Sequence, residues 1–267
     1  MSIVLDRVDV LGVPVTPCTT DQAVDRVGTW IATGQRSYAT FTGVHGVMES
    51  QRDAAVLRAH RDAGIVACDG APMVWASRWA GVPILARVTG REFMLECCAR
   101  AATEGWSSFF YGGKPGVAEQ LAGTLQERFP GFRVAGTRTP PFRSLTPSED
   151  EEIVDAINAS EADLVWVGLS TPRQELWMAE HRGRLDASGL FGVGAAFDYL
   201  AGELREAPHW MQRTGLEWLF RTILEPRRLA GRYLRNNPAF VRAVVSQRPR
   251  RMASGAAGDA RVREGNS

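Results

Sequence analysis

The sequence predicts an α/β fold: a mostly parallel sheet with helices on both faces, plus a helical C-terminal appendage. Three observations carry this prediction. Short β-branched or aromatic runs alternate with amphipathic helical stretches between residues 8 and 194. Several of the runs, such as "DLVWVG" at 163–168, are apolar without alternation, as expected of strands buried on both faces. Beyond residue 203 the strand signal stops and a Trp- and Arg-rich helical pattern takes over. A chain of 267 residues, 45% hydrophobic and 23% charged, suffices for one large α/β domain with an attachment. The expected division is a catalytic domain over 1–203, a helical appendage over 204–245 and a disordered tail over 246–267.

Taken in order, the candidate strands are 8–12, 38–42, 64–68, 107–111, 132–136, 163–168 and 189–194. Helical segments fall between them near 20–33, 44–60, 71–80, 91–104, 115–128, 148–159 and 173–184. In open sheets of this kind ligands bind at the carboxyl ends of the strands, so the loops after each strand are the places to search. The tail 246–267 is rich in Arg, Gly, Ala and Ser with few large apolar groups.

Composition excludes several classes. Cys18, Cys68, Cys97 and Cys98 lack the paired spacing of a zinc site, and no signal-peptide pattern precedes them, so reduced thiols in the cytoplasm are expected. No apolar stretch approaches the ~20 residues that cross a bilayer. Asp-x-Asp occurs nowhere, and His45, His60, His181 and His209 are scattered, which argues against metal catalysis and predicts no cofactor. A Ser-His-Asp triad has no nucleophile elbow to support it. From Arg227 to Arg251 the chain carries Arg227, Arg228, Arg232, Arg235, Arg242, Arg248, Arg250 and Arg251 with no Asp or Glu.

Five strand ends draw attention. At the second, "TFTGVH" (40–45) points Thr40 and Thr42 the same way, and Gly43 lets the backbone pass close to a ligand. Thr42 reads equally as a helix N-cap. The third ends in Asp69-Gly70, then Pro72 opens a helix. Asp69 is either a cap or a carboxylate aimed into the crevice as a general base. In "FFYGGKPGVAEQL" (109–121), Gly112, Gly113 and Lys114, the lone lysine, stand at a strand-to-helix turn suited to negative charge. This is neither G-x-G-x-x-G nor a Walker A loop. "DLVWVGLSTPRQELW" (163–177) reaches Gly168 and then sets Gln174 and Glu175 in a first helical turn, and "LFGVGAAFDYLAGE" (190–203) supplies Gly194.

In the appendage, Trp210, Leu216, Leu219, Phe220, Ile223 and Leu224 recur at roughly helical spacing among Arg213, Arg221, Arg227, Arg228 and Arg232. Such a helix packs on the body or on another copy of the chain, which leaves room for a homo-oligomer. It reads equally as a basic amphipathic surface for anionic lipid head groups. No recognised nucleic-acid fold accompanies the charge, so no nucleic-acid partner is expected.

Together the motifs resemble the WecG/TagA/CpsF glycosyltransferases (glycosyltransferase family 26). The resemblance covers roughly 8–240. It rests on "TFTGVH", "CDGAPMVWASR", "VTGREF", "FFYGGKPGVAEQL", "FPGFRVAGTRTPPF", "WVGLSTPRQELW", "GVGAAFDYLAGE" and "GLEWLFRTILEPRRLAGRY", in that order. It implies a Rossmann-like core and an inverting, metal-independent transfer of N-acetylmannosamine, or a related hexose or uronic acid. The implied donor is a UDP-sugar and the implied acceptor a polyprenyl-diphosphate-linked sugar, for teichoic acid, exopolysaccharide or another cell-surface polymer. The implied location is peripheral, on the inner face of the cytoplasmic membrane, with the appendage against the anionic lipid surface.

By position, the resemblance makes Asp69 the general base, lines its pocket with Thr40, and uses Gln174 to hold donor or acceptor. It assigns Arg221, with Arg228 and Arg232, to the charge on the departing diphosphate, which suits the absence of Asp-x-Asp. Two positions depart from the family pattern: Thr42 stands where Asn is usual, and Glu206 where Arg precedes Ala207-Pro208. The first removes a two-sided hydrogen-bonding amide and points to a different sugar specificity. The two together motivate an alternative, a non-catalytic nucleotide-sugar-binding scaffold of a polysaccharide assembly.

Overall fold

The computed structural model describes residues 5–84, 87–204, 207–208, 211 and 217–253, without the side chains of Glu217 and Arg228. Glu206, His209, Trp210, Arg213 and Leu216 therefore lie outside the described residues, as does 254–267. A hairpin of Val8–Val10 (β1) and Val13–Val15 (β2) precedes Thr20–Thr33 (α1). The body continues through Ser37–Thr42 (β3), Val44–Ser50 (α2), Ala54–Asp62 (α3), Ile65–Cys68 (β4) and Ala71–Trp79 (α4). Then come Gly90–Glu104 (α5), Ser107–Gly112 (β5), Val117–Arg128 (α6), Arg133–Arg138 (β6) and Pro147–Ala159 (α7). Leu164–Gly168 (β7), Arg173–His181 (α8), Gly189–Gly192 (β8) and Ala196–Leu200 (α9) complete it. The appendage supplies Glu217–Leu224 (α10) and Pro226–Ser246 (α11), and Arg250–Arg251 (β9) follows.

Six strands form one parallel sheet in the order β4-β3-β8-β7-β5-β6. The period of two in a strand explains why the apolar runs do not alternate. Leu164 and Trp166 pack into the core on one face, with Phe93, Phe110 and Phe191, while Val165 and Val167 pack into the core on the other, with Tyr111 and Trp177. Local capping fixes where the helices begin. Thr19 with Gln22, Thr89 with Glu92 and Thr146 with Glu149 each form a reciprocal capping box.

The segments after neighbouring strands leave on opposite faces. The helix after β3 places Val47 and Met48 in one core, whereas α9 after β8 places Ala196 and Phe197 in the other. Adjacent strands with diverging connections open a crevice at their carboxyl ends.

Three expectations need correction. The first candidate strand, 8–12, does not join the main sheet, because Leu11 and Gly12 have φ of 54° and 83° and fold it into a hairpin. That hairpin reaches the β4 edge through Thr16, whose N–H donates to Val66 O at 2.7 Å, and so covers an exposed edge. Helix 44–60 is two helices, since Asp53 Oδ1 accepts from Ala55 N at 2.7 Å and starts α3 afresh. The disorder expected over 246–267 does not extend to Arg250–Arg251, which pair with Val8 and Asp9 while Arg251 meets Asp6 at 2.8 Å. Composition could not announce a partner strand so far away in sequence. The appendage also shares the body's core, for Phe240 and Val244 of α11 join the cluster that holds α2.

Candidate active site

The crevice is a cleft of about 320 Å³ over the carboxyl ends of β4, β3, β8 and β7, roofed in part by α10 and α11. Asp69 enters from the end of β4 and is half-buried. Its backbone N–H donates to Thr42 O at 3.1 Å, which extends the β3–β4 ladder by one rung and fixes the carboxylate's origin. Gly70, with φ of 98°, turns the chain at once into α4, a conformation that a side chain would strain.

Thr42 lines the cleft at the tip of β3, and Thr40 lies behind it, fully buried, with the two hydroxyl oxygens 3.1 Å apart. Thr42 Oγ1 is also 3.0 Å from Nε2 of buried His60. The other ring nitrogen is 2.9 Å from Val56 O, which only accepts, so Nδ1 carries the hydrogen. Burial lowers the His60 pKa, against an opposing pull from the carboxylate of Glu175, and the ring stands neutral behind the threonines.

Asp69 is the single carboxylate among the described residues lining the cleft, facing Arg87, Arg91, Arg221 and Arg232. Arg221 lies over the Tyr199 ring at 5.8 Å, and Trp218 meets Tyr233 at 5.5 Å, so aromatic contacts hold this wall. Arg91 sits in the first turn of α5, whose N-terminus also favours negative charge. His45 completes the floor. Burial first and Arg232 second push its pKa down to about 4, so it is neutral at pH 7. Asn236 Nδ2 is 3.2 Å from His45 Nδ1, and Arg52 donates to Asn236 Oδ1 at 2.7 Å, which ties α11 to α2 beside the cleft. Ser170, at φ 64°, holds a strained backbone where the chain leaves β7 for the cleft rim.

The structure thus brings Asp69, Thr42, Gln174, Gly194, Arg221 and Arg232 to one cleft, with Thr40 directly behind. The side chain of Arg228 lies outside the described residues. Gly112, Gly113, Gly168 and Lys114 are not among the lining residues. Gly112, Gly113 and Lys114 stand at the end of β5 and Gly168 at the end of β7, and the glycines are closely packed there. A Cβ on Gly112 would lie 2.7 Å from the Gly168 carbonyl, and one on Gly168 2.7 Å from the Phe197 ring. Lys114 is exposed.

Sequence reading missed Arg87, Arg91, His45 and Asn236. In an arginine-rich chain no single arginine stands out. The capping box Thr89–Glu92, legible in "VTGREF", is the signal that could have placed Arg91 at a helix mouth.

A carboxylate facing an arginine wall, at the strand ends of a parallel sheet, suits attack on an anionic, activated substrate. Residues 8–254 match the model of the "Glycosyl transferase WecG/TagA/CpsF family". The chain is similar to proteins named "N-acetylglucosaminyldiphosphoundecaprenol N-acetyl-beta-D-mannosaminyltransferase" from Staphylococcus aureus strains NCTC 8325 / PS 47 and MRSA252. Each is 27% identical over 237 residues, which is 88% of this chain and 91% of the relative. With the match running through the whole sheet, the cleft and both described appendage helices, this chain belongs to the WecG/TagA/CpsF family of glycosyl transferases.

Proposed function

We propose that the chain is an inverting, metal-independent transferase that moves N-acetylmannosamine, or a related hexose or uronic acid, from a UDP-sugar to a polyprenyl-diphosphate-linked sugar. The observation that carries this reading is Asp69, the single carboxylate among the described lining residues, in a cleft walled by Arg87, Arg91, Arg221 and Arg232. In a single displacement, the acceptor hydroxyl oxygen bonds to the anomeric carbon as the bond from that carbon to the diphosphate oxygen breaks. Asp69 takes the hydroxyl proton late, as bonding to the electrophile develops. The arginines take the charge that builds on the leaving diphosphate, the task a divalent metal performs elsewhere. The relatives' names, which specify a mannosaminyl group and a lipid-diphosphate acceptor, support the substrate class.

The reading places the enzyme on the inner face of the cytoplasmic membrane, making a cell-surface polysaccharide. No described helix is long and apolar enough to cross a membrane. The outer face of α11 exposes Leu234, Val241 and Val245, with Arg235 and Arg242 beside them. An apolar stripe flanked by cations suits a helix lying in an anionic bilayer surface. The test is UDP release from a panel of UDP-sugars with lipid-linked N-acetylglucosamine, with and without EDTA. Rapid release from one donor, unchanged by EDTA, is expected; no release from any of them contradicts the reading.

A further inference from the structure

Gln174 and Glu175 open α8 beside the cleft and are almost fully buried. The Gln174 amide is engaged through its nitrogen. Nε2 donates to Gly192 O at 2.8 Å and to Glu175 Oε1 at 3.3 Å. A backbone carbonyl and a carboxylate only accept, so a rotated amide would set oxygen against oxygen at both contacts. The amide oxygen is left without a protein partner. It lies beside Gly194, where a Cβ would be 3.2 Å from it. The same Glu175 oxygen accepts the hydroxyl hydrogen of Thr171 at 2.8 Å, and Thr171 also lines the cleft. One buried carboxylate thereby occupies donor hydrogens of two neighbouring cleft side chains and leaves them their lone pairs.

Glu175 is 1% exposed and its second oxygen has no partner. Such a group is costly to bury, and an apolar side chain of the same shape would pack there without that cost. Stability gives no reason for it; orientation of the cleft does.

We propose that Glu175 is a positioning residue that fixes Gln174 as a hydrogen-bond acceptor, so that the cleft reads a hydroxyl or amide N–H of the transferred sugar. This rests on the transferase reading above. The assignment divides the site by chemistry. Phosphate oxygens would meet repulsion at the Gln174 carbonyl and belong with the arginines, whereas a sugar presents the hydrogens that Gln174 lacks. Glu175 touches no substrate and acts through Gln174.

The test compares Q174M, E175M, the double variant and E175Q with the wild type by two readouts. The first is hydrogen exchange of the Gln174 side-chain NH2 in 15N-labelled protein, assigned by its loss in Q174M. Slow exchange is expected in the wild type and E175Q, and fast exchange of at least one hydrogen in E175M. The second is kcat/KM for UDP-N-acetylmannosamine with lipid-linked N-acetylglucosamine. Q174M and E175M should each lose ~10- to 100-fold, with UDP affinity within about twofold of wild type. The double variant should lose no more than Q174M alone, and E175Q should recover most of the E175M loss. A further tenfold loss in the double variant would overturn the proposal, because Glu175 would then act elsewhere. A parallel fall in UDP affinity would also overturn it, by assigning Gln174 to the nucleotide. Exchange as fast in the wild type as in E175M would show that nothing is pinned. A wild type that turns over no UDP-sugar contradicts the transferase reading instead, and the exchange experiment still decides the pinning.

Discussion

Replacing Gly43 by alanine probes the strand ends that position Asp69. Gly43 has φ −108° and ψ −165°, which any residue adopts, so the obstacle is space rather than backbone conformation. An ideal Cβ there lies 2.7 Å from the Asp69 carbonyl oxygen. Moving from 2.7 Å to an ordinary contact at 3.4 Å separates the two strand ends by about 0.7 Å. The parallel pairing Thr42↔Cys68 and the Asp69 N–H to Thr42 O bond resist that movement. Overpacking of this kind costs ~1–3 kcal/mol. A displacement approaching 1 Å at a reacting group costs up to ~100-fold in rate. G43A should therefore lower the urea midpoint and cut kcat ~10- to 100-fold. UDP affinity should be little changed, since the arginines stand on other elements. G123A is the control. Gly123 lies inside α6 with nothing within 4 Å of a new Cβ, so alanine should stabilise by ~0.5–1 kcal/mol and leave turnover alone. A G43A protein with wild-type midpoint and turnover would refute the close approach and the positioning argument built on it.

Three further outcomes follow from the same geometry. His45 is held neutral, with its pKa moved from 6.5 to about 4 by burial and Arg232. Between those values the unfolded chain binds a proton that the folded chain does not, so stability present above pH 6.5 is lost as pH falls toward 4. The loss is at most about 3 kcal/mol. Urea unfolding at pH 7 and pH 4.5 should show a smaller difference for H45N than for the wild type; equal differences would contradict this. G168A drives a Cβ to 2.7 Å from the Phe197 ring and should destabilise by ~1–3 kcal/mol, read by urea midpoint, without changing UDP affinity in the folded protein. Replacing Leu234, Val241 and Val245 by Asp should release the protein from anionic vesicles in co-sedimentation, and unchanged binding would remove α11 from the membrane contact.

The sheet was legible because its strands are short and buried on both faces, so "DLVWVG" reads as a strand even without alternation. The strand ends were legible because Asp69 and Thr42 are polar groups at the tips of apolar runs. Glycine was the ambiguous signal at Gly112, Gly113 and Gly168, which stand outside the cleft lining. A glycine that admits a neighbouring backbone or the Phe197 ring has the same sequence signature as one that admits a ligand. The pairing of β9 with β1 was invisible because it joins residues some 240 positions apart, Arg251 to Val8, on no local signal. The arginine wall was half legible. Arg221 and Arg232 stand in a distinctive block, whereas Arg91 is brought in by the start of α5 packing on the turn after β8, where a Cβ on Gly90 would lie 3.1 Å from Val193, and Arg87 stands in the segment leading into α5.

UDP release by D69N, with UDP-N-acetylmannosamine and lipid-linked N-acetylglucosamine, tests most directly whether Asp69 is the base in this cleft. The substitution keeps shape and removes the proton acceptor. With Asp69 as base, kcat should fall ~100- to 10,000-fold with UDP affinity within about twofold of wild type. Near-normal turnover in D69N would contradict it.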